Sequence, residues 1–116
     1  MIPGKYNILC PQGSTLDDLV FTYSIDSVIV DLFGWTARMQ VREKYSSYSA
    51  ILSLTTENDG IFLGGVDGTI ILNISALQTS AIVAKEYVYD IELINPSTYP
   101  YRFLEGKFIV TPEVTR

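Results

Sequence analysis

Glu86-Tyr87-Val88-Tyr89-Asp90-Ile91-Glu92-Leu93 decides the fold class of this chain. Tyr87, Tyr89, Ile91 and Leu93 alternate with Glu86, Val88, Asp90 and Glu92, so an extended backbone puts the first set on one face and the mostly polar second set on the other. That is a strand with one side against a core and one side in water.

Working outward, Asn95-Pro96-Ser97-Thr98 turns the chain and Tyr101 to Val110 runs back beside the first strand, with Gly106 marking an expected bulge. Upstream, Ser75 is placed to cap one helical turn over about residues 75–82, the only helix the sequence predicts. Ahead of it lie the strand Thr69 to Ile74, the glycine turn Gly64-Gly65-Val66-Asp67-Gly68, Ile61-Phe62-Leu63, and Ala50 to Leu54 closed by the Asp59-Gly60 pair. Asp-Gly suits a tight hairpin, and two such turns in succession predict a meander. Trp35 to Arg42 alternates again, with Trp35, Ala37, Met39 and Val41 inward and the tryptophan as core anchor. Leu19, Phe21, Tyr23 and Ile25 form the inner face of an earlier strand, Asp26-Ser27 turns the chain before Val28-Ile29-Val30, and Lys5 to Cys10 supplies a first strand.

Seven or eight short strands with turn signals about every ten residues give an all-β fold, an antiparallel immunoglobulin-like sandwich with a small barrel as the structural alternative. In the sandwich, Tyr87 or Tyr89 would bond back to the corner before its strand, with Trp35 packed beneath. Residues 1–116 are expected to form one domain, with an extended C-terminal tail at about 111–116.

Composition narrows the function. The 116 residues are 47% hydrophobic and 18% charged, enough apolar material for a single core without staples. A net charge of −5 without a basic cluster argues against nucleic acid, and no apolar run is long enough for a membrane span or a signal peptide. There is no histidine, so the usual nucleophile–base triads are impossible, and the lone Cys10 reads as a small buried hydrophobe. Asp17, Asp18, Asp31, Glu57, Asp59, Asp67, Asp90 and Glu92 fall at turns or on outward faces. A non-enzymatic protein without cofactor or metal is expected. The glycine turn lacks the Lys-Ser/Thr ending of a phosphate loop, and Glu57, Asn58, Asp59 and Asp67 read as solvated turn residues, with a calcium site as the alternative. The candidate partner contacts are Tyr45, Tyr48 and Tyr99 in or beside loops, and Pro112, Val114 and Arg116 in the tail, which could add as a strand to a neighbour's sheet edge.

Thr36-Ala37-Arg38-Met39-Gln40-Val41-Arg42, Leu54-Thr55-Thr56-Glu57-Asn58, Asp67-Gly68-Thr69-Ile70, Tyr87 to Leu93, Leu104-Glu105-Gly106-Lys107 and Pro112-Glu113-Val114-Thr115-Arg116, in that order, resemble a group of small tailed-bacteriophage proteins. The resemblance covers roughly residues 17–116. The chain differs from that group at Tyr99-Pro100-Tyr101 and Tyr45-Ser46-Ser47-Tyr48. It implies a virion component of the tail, baseplate or fibre region with an immunoglobulin-like sandwich, made in the host cytoplasm. The expected partners are other virion structural proteins and further copies of the chain. A host-glycan adhesion module is the alternative.

Overall fold

The alternating segments become strands that pair into two facing sheets. The computed structural model describes the backbone of residues 3–115 and every side chain in that range except that of Asp18. In chain order the elements are β1 (Gly4–Lys5), β2 (Ile8–Pro11), β3 (Leu16–Thr22), β4 (Ser24–Ile25), β5 (Val28–Ile29), β6 (Thr36–Arg42), β7 (Leu52–Thr55), β8 (Ile61–Leu63), β9 (Thr69–Ile74), α1 (Ala76–Ser80), β10 (Glu86–Ile94) and β11 (Pro100–Thr111).

The larger sheet runs β1-β11-β10-β6-β7, with β2 following β1 along the same edge of β11. The smaller sheet is β3-β9-β8, and β4 and β5 form a separate hairpin. All pairings are antiparallel except those of β1 and β2 with β11. The inward sets predicted for β6 and β10, Ala37, Met39 and Val41 with Tyr87, Tyr89, Ile91 and Leu93, join Ile70, Leu72 and Ile74 of β9 and Phe108 of β11 in one buried cluster. Each such aliphatic side chain taken from water contributes about 1.5–3 kcal/mol before the entropy of ordering it.

The fold is all-β and sandwich-like, and its helix is shorter than the eight residues expected. α1 is stopped at Ser80, and Ser75 caps it with a reciprocal box in which Ser75 Oγ accepts from Gln78 N while Gln78 Oε1 accepts from Ser75 N.

Several local expectations are corrected. The bulge on β11 lies at Phe103, since Leu104 pairs with Ile91 and Arg102 with Glu92. Gly106 serves a close approach instead: a Cβ there would sit 2.1 Å from the Tyr6 carbonyl oxygen, which Tyr89 Oη also meets with a 2.6 Å hydrogen bond. Asp59-Gly60 does not close a hairpin. β7 belongs to the larger sheet and β8 to the smaller, so this connection crosses between sheets and the expected meander shrinks to the β8–β9 hairpin around the glycine turn. Ile25 is exposed because the chain leaves the sheet at Tyr23 and starts the β4–β5 hairpin. Trp35 is only partly buried and packs on Tyr23 and Tyr101, with no ring contact to Tyr87. The C-terminal tail begins at Pro112, because Thr111 still pairs with Pro11, and Glu113 N is held by Gln12 Oε1.

Candidate functional site

Three connections meet at one end of the sandwich: residues 23–35 between β3 and β6, 64–68 between β8 and β9, and 95–99 between β10 and β11. Tyr23 N donates to Gly68 O and Leu32 N to Gly65 O, while a Cβ on Gly34 would touch Pro96 at 3.3 Å. Beneath them Tyr23 stands edge-on to Trp35 and Phe103 at centroid distances of 6.2 and 5.4 Å. These contacts fix the three segments relative to one another.

The β4–β5 hairpin crowns this end. Asp26 and Ser27 adopt φ of 52° and 67°, the paired left-handed geometry of a type I′ turn, which sets Ile25 opposite Val28 and Ser24 opposite Ile29. The hairpin rests on Gly68, where φ is 65° and a Cβ would lie 2.5 Å from Ile29 Cγ2, so a side chain at that position would push it off.

Ile25, Val28, Ile29, Phe33 and Val66 are nevertheless left in solvent, Phe33 at 83% and Val66 at 74% of their full exposure. Large apolar side chains left in water on adjoining segments mark interaction surfaces more often than isolated exposed ones do. Asp26, Asp31 and Asp67 are exposed in the same segments, and Asp31 Oδ1 accepts from Phe33 N at 2.9 Å. Residues 23–35, 64–68 and 95–99 contain no Lys or Arg. The end is apolar with an acidic rim.

The outer face of the larger sheet has a different character. Arg38 pairs with Glu92, Arg102 with Asp90 at 3.4 Å, Lys107 with Glu86 at 3.3 Å and Lys5 with Glu105 at 2.9 Å. Exposed pairs of this kind contribute about 0–1 kcal/mol each. A shallow depression of about 270 Å³ among them is lined by Gln40, Arg42, Tyr45, Asp90 and Arg102. Burial there pushes the Asp90 carboxyl above the usual carboxylate range, against the opposing pull of Arg102.

The contact residues expected from the sequence do not converge. Tyr45 and Tyr48 are exposed in the segment after β6, whereas Tyr99 is exposed in the turn after β10. Val88 pairs with Arg42 and Ile94 with Thr36, so these segments leave opposite ends of two antiparallel strands, ~20 Å apart at 3.3 Å per residue. Tyr99 belongs to the apolar end, and Tyr45 to the rim of the depression. Pro112 and Val114 are exposed near Gln12, and Arg116 lies outside the described residues.

Ile25, Val28, Ile29, Phe33 and Val66 escaped the sequence reading. A signal was present in Val28-Ile29-Val30-Asp31-Leu32-Phe33, which carries more apolar residues than one short connection can bury; only Leu32 is fully inside, with Val30 packed against the core.

Among the described residues no three His, Cys, Asp or Glu side chains gather to hold a metal ion, and Asn58 is engaged in its own turn, accepting from Thr55 N and Gly60 N. Burial pushes the Cys10 thiol up to about 11, which keeps it protonated at neutral pH. Among the described residues no helix is long and apolar enough to cross a membrane. No family description matches the chain, and no curated protein matches it in sequence.

Proposed function

We propose that the protein is a non-enzymatic structural component of a bacteriophage virion, in the tail, baseplate or fibre region, where it joins or decorates other virion proteins in multiple copies. The resemblance along residues 17–116 supports the setting. The observation that carries the binding role is the apolar end: Phe33, Val28 and Val66 stand in water on a well-ordered frame, a cost to a free monomer that a partner removes. Each contact can be weak, because a symmetric particle presents many at high effective concentration.

The finer fold reading, an immunoglobulin-like sandwich, belongs to the same proposal. Its support is the facing of β3-β9-β8 against β11-β10-β6-β7, the B-E-D and G-F-C-C′ order of that fold, and the 2.7 Å bond from Tyr87 Oη to Val83 O at the corner preceding β10.

A second reading has its own observation. The depression beside Tyr45 combines a ring with the planar polar groups of Gln40, Arg42, Asp90 and Arg102, a lining that suits a host glycan. Cross-linking within intact virions separates the two. The adaptor reading expects links from residues 24–33 or 64–68 to another virion protein. A protein absent from particles, or a glycan array bound through the Tyr45 depression together with an unlinked apolar end, would overturn it.

A further inference from the structure

We propose that the apolar end docks onto an apolar surface of another protein that is rimmed by Lys and Arg, and that its occupant is neither a second copy of this chain nor a lipid bilayer. The proposal rests on the reading of that end as an interface and adds the chemistry of the partner. Five apolar side chains exposed on adjoining connections give a partner a hydrophobic centre around which a standard contact of ~800 Å² per side can form. The surface is also preorganised. Val30 N bonds Tyr23 O, Tyr23 N bonds Gly68 O and Leu32 N bonds Gly65 O, all at 2.8–2.9 Å, so little ordering is left for binding to impose.

Charge selects the occupant. A two-fold contact between copies would bring Asp26, Asp31 and Asp67 of one molecule against the same three carboxylates of the other, in a zone where neither supplies a cation. A head-to-tail contact would need a basic apolar surface elsewhere on this chain. Of its eight Lys and Arg residues, Lys5, Arg38, Lys85, Arg102 and Lys107 are already in ion pairs, Arg42 bonds Gln40 and Ser47, and Arg116 lies outside the described residues, which leaves Lys44 beside Tyr45 and Tyr48 as one cation to answer three carboxylates. Anionic bilayers carry a negative surface potential that repels the same three carboxylates. A foreign protein with cations around an apolar centre satisfies both features at once.

The test uses the full chain and two synthetic amphipathic peptides with identical Leu and Phe positions, one with Lys and one with Glu at every polar position, followed by backbone amide shifts. The Lys peptide is expected to perturb residues 24–33 and 64–68 and to bind at least tenfold tighter than the Glu peptide. That preference should shrink toward unity at high salt and in the Asp26→Asn, Asp31→Asn, Asp67→Asn variant. Equal binding of the two peptides, binding of neither, or shifts confined to other segments would overturn the proposal. Dimerisation through this end at low salt would assign it to a second copy, and flotation with phosphatidylcholine or phosphatidylglycerol vesicles would assign it to lipid; either contradicts the proposal. Incorporation of Phe33→Asp into particles tests the underlying interface reading separately. If that variant is incorporated normally, the interface reading fails. If it is excluded while the peptides bind equally, only the charge inference fails.

Discussion

At the α1 end of the sandwich, polar side chains fasten the connections. Ser75 and Gln78 cap α1, Thr79 Oγ1 donates to Ser14 O at 2.8 Å, Gln12 Nε2 to Ile82 O at 2.8 Å and Tyr87 Oη to Val83 O at 2.7 Å. At the opposite end, main-chain bonds and stacked rings hold the connections, and Ile25, Val28, Ile29, Phe33 and Val66 are turned outward. The first arrangement satisfies buried polar groups, which folding requires. Leu77 and Val83 are exposed at the α1 end too, but the second end leaves five apolar side chains in water on adjoining connections, which folding alone does not favour. Substitutions at the α1 end should therefore cost stability, and substitutions at the apolar end should cost association.

The largest stability effect is expected from Thr79→Val. Thr79 is fully buried, and its loss strands the Ser14 carbonyl, so urea unfolding should register a loss of about 1–3 kcal/mol. Tyr87→Phe removes one hydroxyl from a corner that otherwise stays packed, for an expected loss of about 0.5–1.5 kcal/mol in the same measurement. A wild-type midpoint for both would break the comparison, because the α1 end would then not depend on its polar bonds. Phe33→Asp and Val28→Asp should change stability by no more than about 0.5 kcal/mol, since both side chains are already solvated. A large loss there would mean that the apolar end is part of the folding core.

The smallest effect concerns the outer face of the larger sheet, where neither end's chemistry applies. Burial raises the Asp90 carboxyl in the folded state, so the folded protein binds that proton more tightly than the unfolded chain and stability falls as pH rises through this window. Asp90→Asn removes the ionisation. It should match or exceed the parent in thermal midpoint at pH 7, with the advantage vanishing below the ordinary carboxylate value of about 3.9. A deficit at pH 7 that closes on acidification would instead make Arg102 the dominant influence on Asp90.

The sequence made much of the frame legible because alternation is a local signal. Tyr87, Tyr89, Ile91 and Leu93 lie inside as their spacing required, and the outward Asp90 and Glu92 meet Arg102 and Arg38 on the flanking strands. Ser75 announced α1 by the same kind of local chemistry. What stayed hidden depends on partners distant in sequence. Asp59-Gly60 reads as a hairpin until β7 and β8 are seen to join different sheets. Gly106 reads as a bulge until Tyr6, one hundred residues away, is seen to cross it. Ile25 alternates with Leu19, Phe21 and Tyr23 like a core residue, and only the departure of the chain from the sheet at Tyr23 leaves it outside, paired with Val28 in the β4–β5 hairpin. The candidate tyrosines were the least legible, because exposure of Tyr45, Tyr48 and Tyr99 says nothing of whether they share a surface, and they do not.

Hydrogen exchange of the protein, free and within the assembled particle, tests the central claim most directly, since it reads both ends in one experiment. The account predicts slowed exchange on assembly at residues 24–33 and 64–68, with residues 76–82 exchanging as in the free protein. Protection at residues 76–82 with residues 24–33 unchanged would contradict it.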